Sequence, residues 1–454
     1  MSFRNLGVFL TFIMGACTGQ EGTIRISVVA DPSGDLLSQI DRVEARYTGR
    51  DTTFSATRDD DGTLDLGLDL EADGSSGDLV LTGFAGDGSR IAVGRVGPLP
   101  LAAIDADVVA FLAPPNSITQ APVVLAVPRS HIGGTEASFG ALLAGGLGSD
   151  GPVGDVNVYS TYLHTIQTGL PLPTPRSHIA VAAGSSGFFY MLGGEDENQD
   201  PIAESYAFDT RVPPVGSYRP LVIDEEFARS GATTAVVGEE QFLVSGDPAL
   251  LLDGLRGTVQ PLLDGGGLDG QAATVVTDNS LQVIFAGANV VDPELGGIGA
   301  AVFEGNAVTH LAAPVEMVRR EHRAVTLLSG QALFLGGAQE DGTLLTDAVR
   351  YAPATQTFEV FELLATGRRN PAVAITDKFL VVIGGEDESG NAIADAEVFD
   401  VLTLAAVATI PLVLPRKNAV AHALGNGQIL IAGGQDENGA PTEILSLFTP
   451  DESF

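Results

Sequence analysis

The chain has 454 residues and carries 58 acidic against 23 basic side chains, a formal charge of −35. That balance repels phosphate backbones, so no nucleic-acid partner is expected. With 44% hydrophobic and only 18% charged residues it can bury a large core, which excludes wholesale disorder. The single cysteine excludes a disulfide framework and any paired-cysteine metal or redox site.

The first seventeen residues read as an address. Arg4 supplies a short positive region, and the apolar run Leu6–Met14 is far shorter than the ~20 residues that span a bilayer. Gly15 and Ala16 then precede the lone cysteine, Cys17. Met14-Gly15-Ala16-Cys17 resembles the lipobox of a bacterial lipoprotein signal. The resemblance implies a leader over 1–16 that is cleaved, an acylated Cys17 and a tether over 17–22. Its partner would be a lipid bilayer, held stably because several acyl chains anchor where one alone holds only marginally. Thr18, where retention in the inner membrane would need an aspartate, implies an outer-membrane lipoprotein of the cell envelope, facing the periplasm or the surface. The alternative is an ordinary secretory peptide with an incidental cysteine. No later segment reads as a membrane span.

Residues 23–115 alternate with a period of two. Ile24, Ile26 and Val28 face one way and Arg25 and Ser27 the other. Val43–Tyr47, Thr52–Thr57, the leucines of Leu64–Leu70, Leu79–Phe84, Ile91–Val96 and Val108–Leu112 follow, separated by Asp/Gly/Ser turns. Short strands at this density predict a small antiparallel β-sandwich of the immunoglobulin or transthyretin kind, a spacer or adhesion module. The acidic run Asp59–Asp61 could coordinate calcium, but it lacks the ligand spacing of a calcium loop and reads better as a solvated hairpin tip.

From residue 116 to 454 the chain repeats. An apolar strand ending in glycine recurs at Gly145-Gly146, Gly193-Gly194, Gly246, Gly287, Gly336-Gly337, Gly384-Gly385 and Gly433-Gly434, at steps of 41 to 52 residues. Upstream of these anchors stand Arg129, Arg176, Arg229, Arg320, Arg368 and Arg416, with Asp269 in the fourth copy. Two residues beyond come His131, His178, Gly231, Gln271, His322, Asn370 and Asn418. A polar turn and a short aromatic strand follow most anchors, as at Tyr206–Phe208 and Val349–Tyr351. Together these features resemble the kelch repeat. The resemblance implies an all-β chain, the N-terminal sandwich-like domain being followed by a seven-bladed kelch-type β-propeller. The tryptophan usual in the outer strand is absent throughout. The seventh copy ends after its third strand, and the apolar segment 121–127 is expected to supply the fourth, closing the ring.

In such a blade the turns carrying the Arg/His/Asn positions share a face with the acidic turns after each glycine pair. Arg129, His131, Arg176, His178, Arg229, Arg320, His322, Arg368, Asn370, Arg416 and Asn418 are therefore the candidate ligand face. They could hold an anionic or sugar ligand, with His178 or His322 as acid or base. Because they follow the repeat, they read more readily as structural, each arginine bonding loop carbonyls or carboxylates. Glu195, Asp196, Asp387 and Asp436 are calcium candidates on composition, and equally ordinary turn residues. No cofactor is expected. The six histidines form no zinc-binding spacing, and Gly265–Gly267 lacks the Lys-Ser/Thr of a phosphate loop. No catalytic residue is assigned. The expected function is a non-enzymatic binding or scaffold module engaging a protein or glycan through one propeller face. A carbohydrate-active enzyme resembling kelch sialic-acid mutarotases is the alternative, and a structural envelope protein without a small ligand is a third.

Overall fold

The computed structural model describes residues 8–10, 24–48, 52–58, 76–100, 106–213, 215–221, 228–246, 248–262, 272–277, 281–292, 297–304 and 307–451. Cys17, the Asp59–Asp61 run, the Leu64–Leu70 alternation, Gly265–Gly267 and the fourth-copy Asp269 and Gln271 lie outside them. The chain is all-β. No helix among the described residues is long and apolar enough to cross a membrane.

The N-terminal unit packs two sheets on one core. One has the order Thr52–Thr57, Arg42–Tyr47, Ser76–Phe84, Arg90–Pro100, antiparallel throughout. The other sets Ile24–Ala30 between Val8–Leu10 and Ala106–Leu112. Ile26, Val28, Val108 and Ala110 from this second sheet meet Val43, Tyr47, Leu79, Leu81 and Val96 from the first. The wholly antiparallel arrangement expected from sequence fails at one pairing, since Ile24–Ala30 runs parallel to Ala106–Leu112. The hairpins between these two strands belong to the first sheet, so the chain returns to the second in its original direction.

Seven four-stranded antiparallel sheets follow among the described residues. In chain order they begin at Gly133–Ala137 (sheet I), Ala180–Ala183 (II), Thr234–Val236 (III), Ala272–Thr277 (IV), Arg323–Thr326 (V), Ala372–Ile375 (VI) and Val420–Ala423 (VII). Each first strand contacts that of the next sheet, and sheet VII contacts sheet I, making a closed circuit. Between each successive pair lies one apolar cluster, from Leu142 and Met191 between I and II to Val381 and Ile431 between VI and VII. Second strands such as Gly140–Ala144 and Ala332–Leu335 are buried along their whole length, as their continuous apolar composition requires. Sheet VII takes its fourth strand from before sheet I: Ser117–Val124 pairs antiparallel with Ile444–Thr449, Ile118 opposite Phe448.

The glycine pairs are where consecutive sheets are joined. Gly385 donates its backbone N–H to the Arg416 carbonyl at 3.0 Å, Gly146 to that of Arg176 at 2.9 Å, and Gly434 to that of Arg129 at 3.0 Å, the last across the closure. The first glycine of each pair, with φ of +62° at Gly145 and +54° at Gly384, adopts a left-handed conformation against the same carbonyl, where a Cβ would collide.

The N-terminal unit docks on the end of the ring that bears the turns between first and second and between third and fourth strands. Asn426 Nδ2 donates to the Arg95 carbonyl at 3.1 Å, and Tyr162 Oη to that of Pro98 at 3.3 Å. Arg90 pairs with Asp451 at 2.7 Å. The turns with the repeated arginines emerge at the opposite end.

Candidate functional site

Four of the repeated arginines are buried, and Arg229 is partly exposed. Arg129, Arg176 and Arg368 are 0% exposed and Arg416 is 1% exposed. Arg176 donates through Nη1 to the Gly193 carbonyl at 2.9 Å and the Glu204 carbonyl at 2.6 Å. Arg368 reaches the Gly384 and Asp395 carbonyls at 3.0 and 3.3 Å and pairs with the Asp395 and Glu397 carboxylates at 3.1 and 2.5 Å. Arg416 bonds the Gly433 and Ile444 carbonyls and Ser446 Oγ, Arg129 the Asp155 carbonyl and Asn157, and Arg229 the Ser245 and Pro248 carbonyls. Each guanidinium fastens the end of the second strand, the start of the third, or both, within its own sheet. Apart from Arg129 Nε and Arg176 Nη2, which are buried without a hydrogen-bond partner, the donors of the buried arginines are spent on the fold.

In sheet V the register differs by one residue from the sequence expectation. The buried arginine is Arg319, which bonds the Gly336 and Asp347 carbonyls and the Asp347 carboxylate at 3.2, 3.3 and 3.0 Å, while Arg320 is exposed. Two positions on therefore stands Glu321, not His322. His322 takes the apolar slot held by Ile132 in sheet I and Ile179 in sheet II, and is 3% exposed. Backbone conformation confirms the shift: φ is +49° at His131, +52° at His178, +66° at Gly231, +56° at Glu321, +44° at Asn370 and +55° at Asn418. His and Asn are among the few side chains that tolerate this region. These residues pass one backbone hydrogen bond to the next, from His131 to Asn418, His178 to His131, Gly231 to His178 and Asn370 to Glu321, at 2.8–3.2 Å.

That ring rims an axial cavity of about 980 Å³, lined by His131, His178, Gly231, Arg320, Glu321, Arg323, Arg369, Asn370, Glu386 and Asn418 among others. The imidazoles of His131 and His178 lie 4.1 Å apart, centroid to centroid. Glu195 Oε1 sits 2.7 Å from His178 Nδ1 while Glu195 Oε2 accepts from Ser230 Oγ at 2.8 Å. Lys417 Nζ meets Glu386 Oε1 at 2.6 Å, and Asn370 Nδ2 donates to Glu321 Oε1 at 3.4 Å. Burial pushes His131 down to about 4, aided by His178 and by the cations Arg323 and Lys417 and opposed by Glu195, so its ring is neutral near pH 7. Burial holds His322 at about 3, hence neutral as well.

Of the acidic candidates, only Glu195 faces the ring. Asp196 Oδ1 accepts from the Asn198 and Asp200 amides at 2.8 and 3.0 Å, Asp387 Oδ1 from Ser389 and Asn391, both at 2.8 Å, and Asp436 Oδ1 from Asn438 and Ala440 at 2.8 and 2.9 Å. These bonds to backbone amides lower all three carboxyls and close the acidic turns on themselves. No cluster of three or more His, Cys, Asp or Glu suited to a metal ion occurs among the described residues.

Sequence reasoning passed over Arg319, Glu321, Arg323, Arg369 and Lys417. The arginine-to-glycine spacing is 16 residues in sheets I and VI and 17 in II and VII, so it fits both Arg319 and Arg320. What separates them is the residue four positions on, small in most copies and Arg323 in this one if Arg319 is the anchor. No protein-family model matches this chain, and no curated protein sequence matches it.

Proposed function

We propose that this chain is a seven-bladed, kelch-type β-propeller with an N-terminal β-sandwich, and that it acts as a binding or scaffold module engaging a protein or glycan at the axial cavity. One observation carries the reading. The arginines that follow the repeat, Arg129, Arg176, Arg368 and Arg416, are buried and bonded into their own sheets, whereas the left-handed ring residues His131, His178, Asn370 and Asn418 line one cavity together with Arg320 and Arg323, which depart from the repeat. Concave polar sites of this size are the usual place for a ligand. In the same reading, acyl groups on Cys17 hold the chain at the outer membrane. The N-terminal unit docks at the other end of the ring, so the cavity would open away from the bilayer.

A second reading, a carbohydrate-active enzyme, is favoured by the His178–Glu195 pair at 2.7 Å. A carboxylate on one ring nitrogen orients an imidazole and leaves the other nitrogen for proton transfer.

A thermal-shift screen of the purified protein against neutral and acidic sugars and short peptides tests the binding reading. A ligand at about 100 times its Kd should add about 2.7 kcal/mol of stability. The expected shift is lost in His131→Ala/His178→Ala and kept in Asp377→Ala, which alters a pocket at the opposite end. Loss in Asp377→Ala alone would refute the axial site, and a turnover of any stabilising sugar would favour the enzyme.

A further inference from the structure

The first strand of each sheet opens with a residue at the channel, paired with the residue before the glycine anchor. In sheets I to IV, VI and VII that residue is Gly133, Ala180, Thr233, Ala272, Ala372 and Val420; in sheet V it is Arg323, opposite Leu335. An arginine where the other copies carry small or apolar side chains breaks the pseudo-symmetry at the cavity. Nothing in the fold consumes it. Its Nη1 has only long contacts, to the His322 carbonyl at 3.3 Å and Asn370 Oδ1 at 3.5 Å, and no carboxylate within ion-pair distance among the described residues. At the rim Arg320 is exposed and likewise makes no ion pair among the described residues.

The neighbouring carboxylates are committed elsewhere. Glu386 is held by Lys417 at 2.6 Å, Glu195 by His178 at 2.7 Å and by two serines, and Glu321 by Asn370 with Arg369 at 3.9 Å. Glu340, on the rim, is exposed and pairs with none of these cations. A half-buried guanidinium with no ion pair, and only the charge of Glu321 nearby to offset its burial, is costly, the more pointedly in a chain of 58 acidic residues. Its planar fork matches a carboxylate or phosphate. The cavity, at about 980 Å³, is far larger than an inorganic ion. The imidazoles of His131 and His178, tilted 40° to one another, also line it.

We infer that the axial cavity takes a small organic ligand through an oxyanion, a carboxylate or a phosphate ester, seated on Arg323 with Arg320 at the rim. The inference rests on the cavity being the ligand site. Calorimetric titration of the full chain at constant ionic strength with glucuronate, glucose 6-phosphate and glucose tests it. The expected result is binding of one or both charged probes at concentrations up to about 10 mM, with at least tenfold weaker binding of glucose. Which charged probe binds better tells carboxylate from phosphate. Arg323→Ala should weaken the charged probe at least tenfold, and Arg323→Lys, which keeps the charge and guards against a folding defect, should retain part of it. Equal binding of glucose and the charged probes, undiminished in Arg323→Ala but lost in His131→Ala/His178→Ala, would overturn the oxyanion and leave the cavity reading standing. No binding of any charged probe would overturn the oxyanion alone, and charged-probe binding insensitive to both the arginine and histidine variants would overturn both.

Discussion

Replacing Arg368 with methionine is expected to destabilise the ring by about 3–5 kcal/mol, the usual cost of leaving one member of a buried ion pair alone. Arg368 is fully buried, and its Nη2 lies 2.5 Å from Glu397 Oε1, itself only 4% exposed. Removing the guanidinium strands that carboxylate and frees the Gly384 and Asp395 carbonyls it also satisfies. Glu397 keeps only the amides of Ala365 and Thr366, at 2.7 and 3.1 Å. Urea denaturation followed by circular dichroism measures the loss. The double variant Arg368→Met/Glu397→Gln should recover part of it, because a neutral amide is less costly to bury than an unpaired carboxylate. Arg320→Ala, at an exposed residue with no ion pair among the described residues, should change the stability by no more than about 0.5 kcal/mol.

The second large effect is expected at the glycine pairs. Gly384→Ala places a Cβ against the Arg416 carbonyl, on a residue whose φ is +54°. The approach of that carbonyl is what lets Gly385 donate to it, so the substitution strains the backbone and opens the seam between sheets VI and VII. A loss of about 3 kcal/mol or more should result from the left-handed strain and the overpacking together. Gly390→Ala isolates the first contribution. Its φ is +80°, yet a Cβ there would meet nothing within 4 Å. It should cost only about 1–2 kcal/mol. Similar losses in the two variants would mean that the carbonyl seam contributes little.

Much of the repeat is visible in the sequence because its physical causes are local. A buried second strand must be apolar along its length, and a carbonyl arriving from the next sheet admits only glycine at its point of contact, so the anchors stand out at Gly145, Gly193, Gly336, Gly384 and Gly433. His131, His178, Asn370 and Asn418 were also within reach, since left-handed backbone selects a short list of residues. The role of the arginines was harder. A long cation beside a turn has the same composition whether its guanidinium meets solvent or a ring of carbonyls, and only the packing of Arg129, Arg176, Arg368 and Arg416 decides it. In sheet V two adjacent arginines satisfy the same spacing. Choosing Arg320 moved His322 to the rim and hid Arg323, the residue on which the ligand chemistry now turns. The parallel pairing of Ile24–Ala30 with Ala106–Leu112 joins residues about 80 apart, and alternation within each strand carries no record of its partner's direction.

Closure of the ring is the claim on which the cavity depends, because sheets I and VII bring His131 and Asn418 together only if Ser117–Val124 completes sheet VII. Amide hydrogen exchange read by mass spectrometry on the intact protein measures this directly. A closed ring gives peptides covering Ser117–Val124 the same slow exchange as Ile444–Thr449, both opening only with the ring as a whole. Exchange of Ser117–Val124 within seconds, with Ile444–Thr449 still protected, would contradict the closure and the axial site built on it.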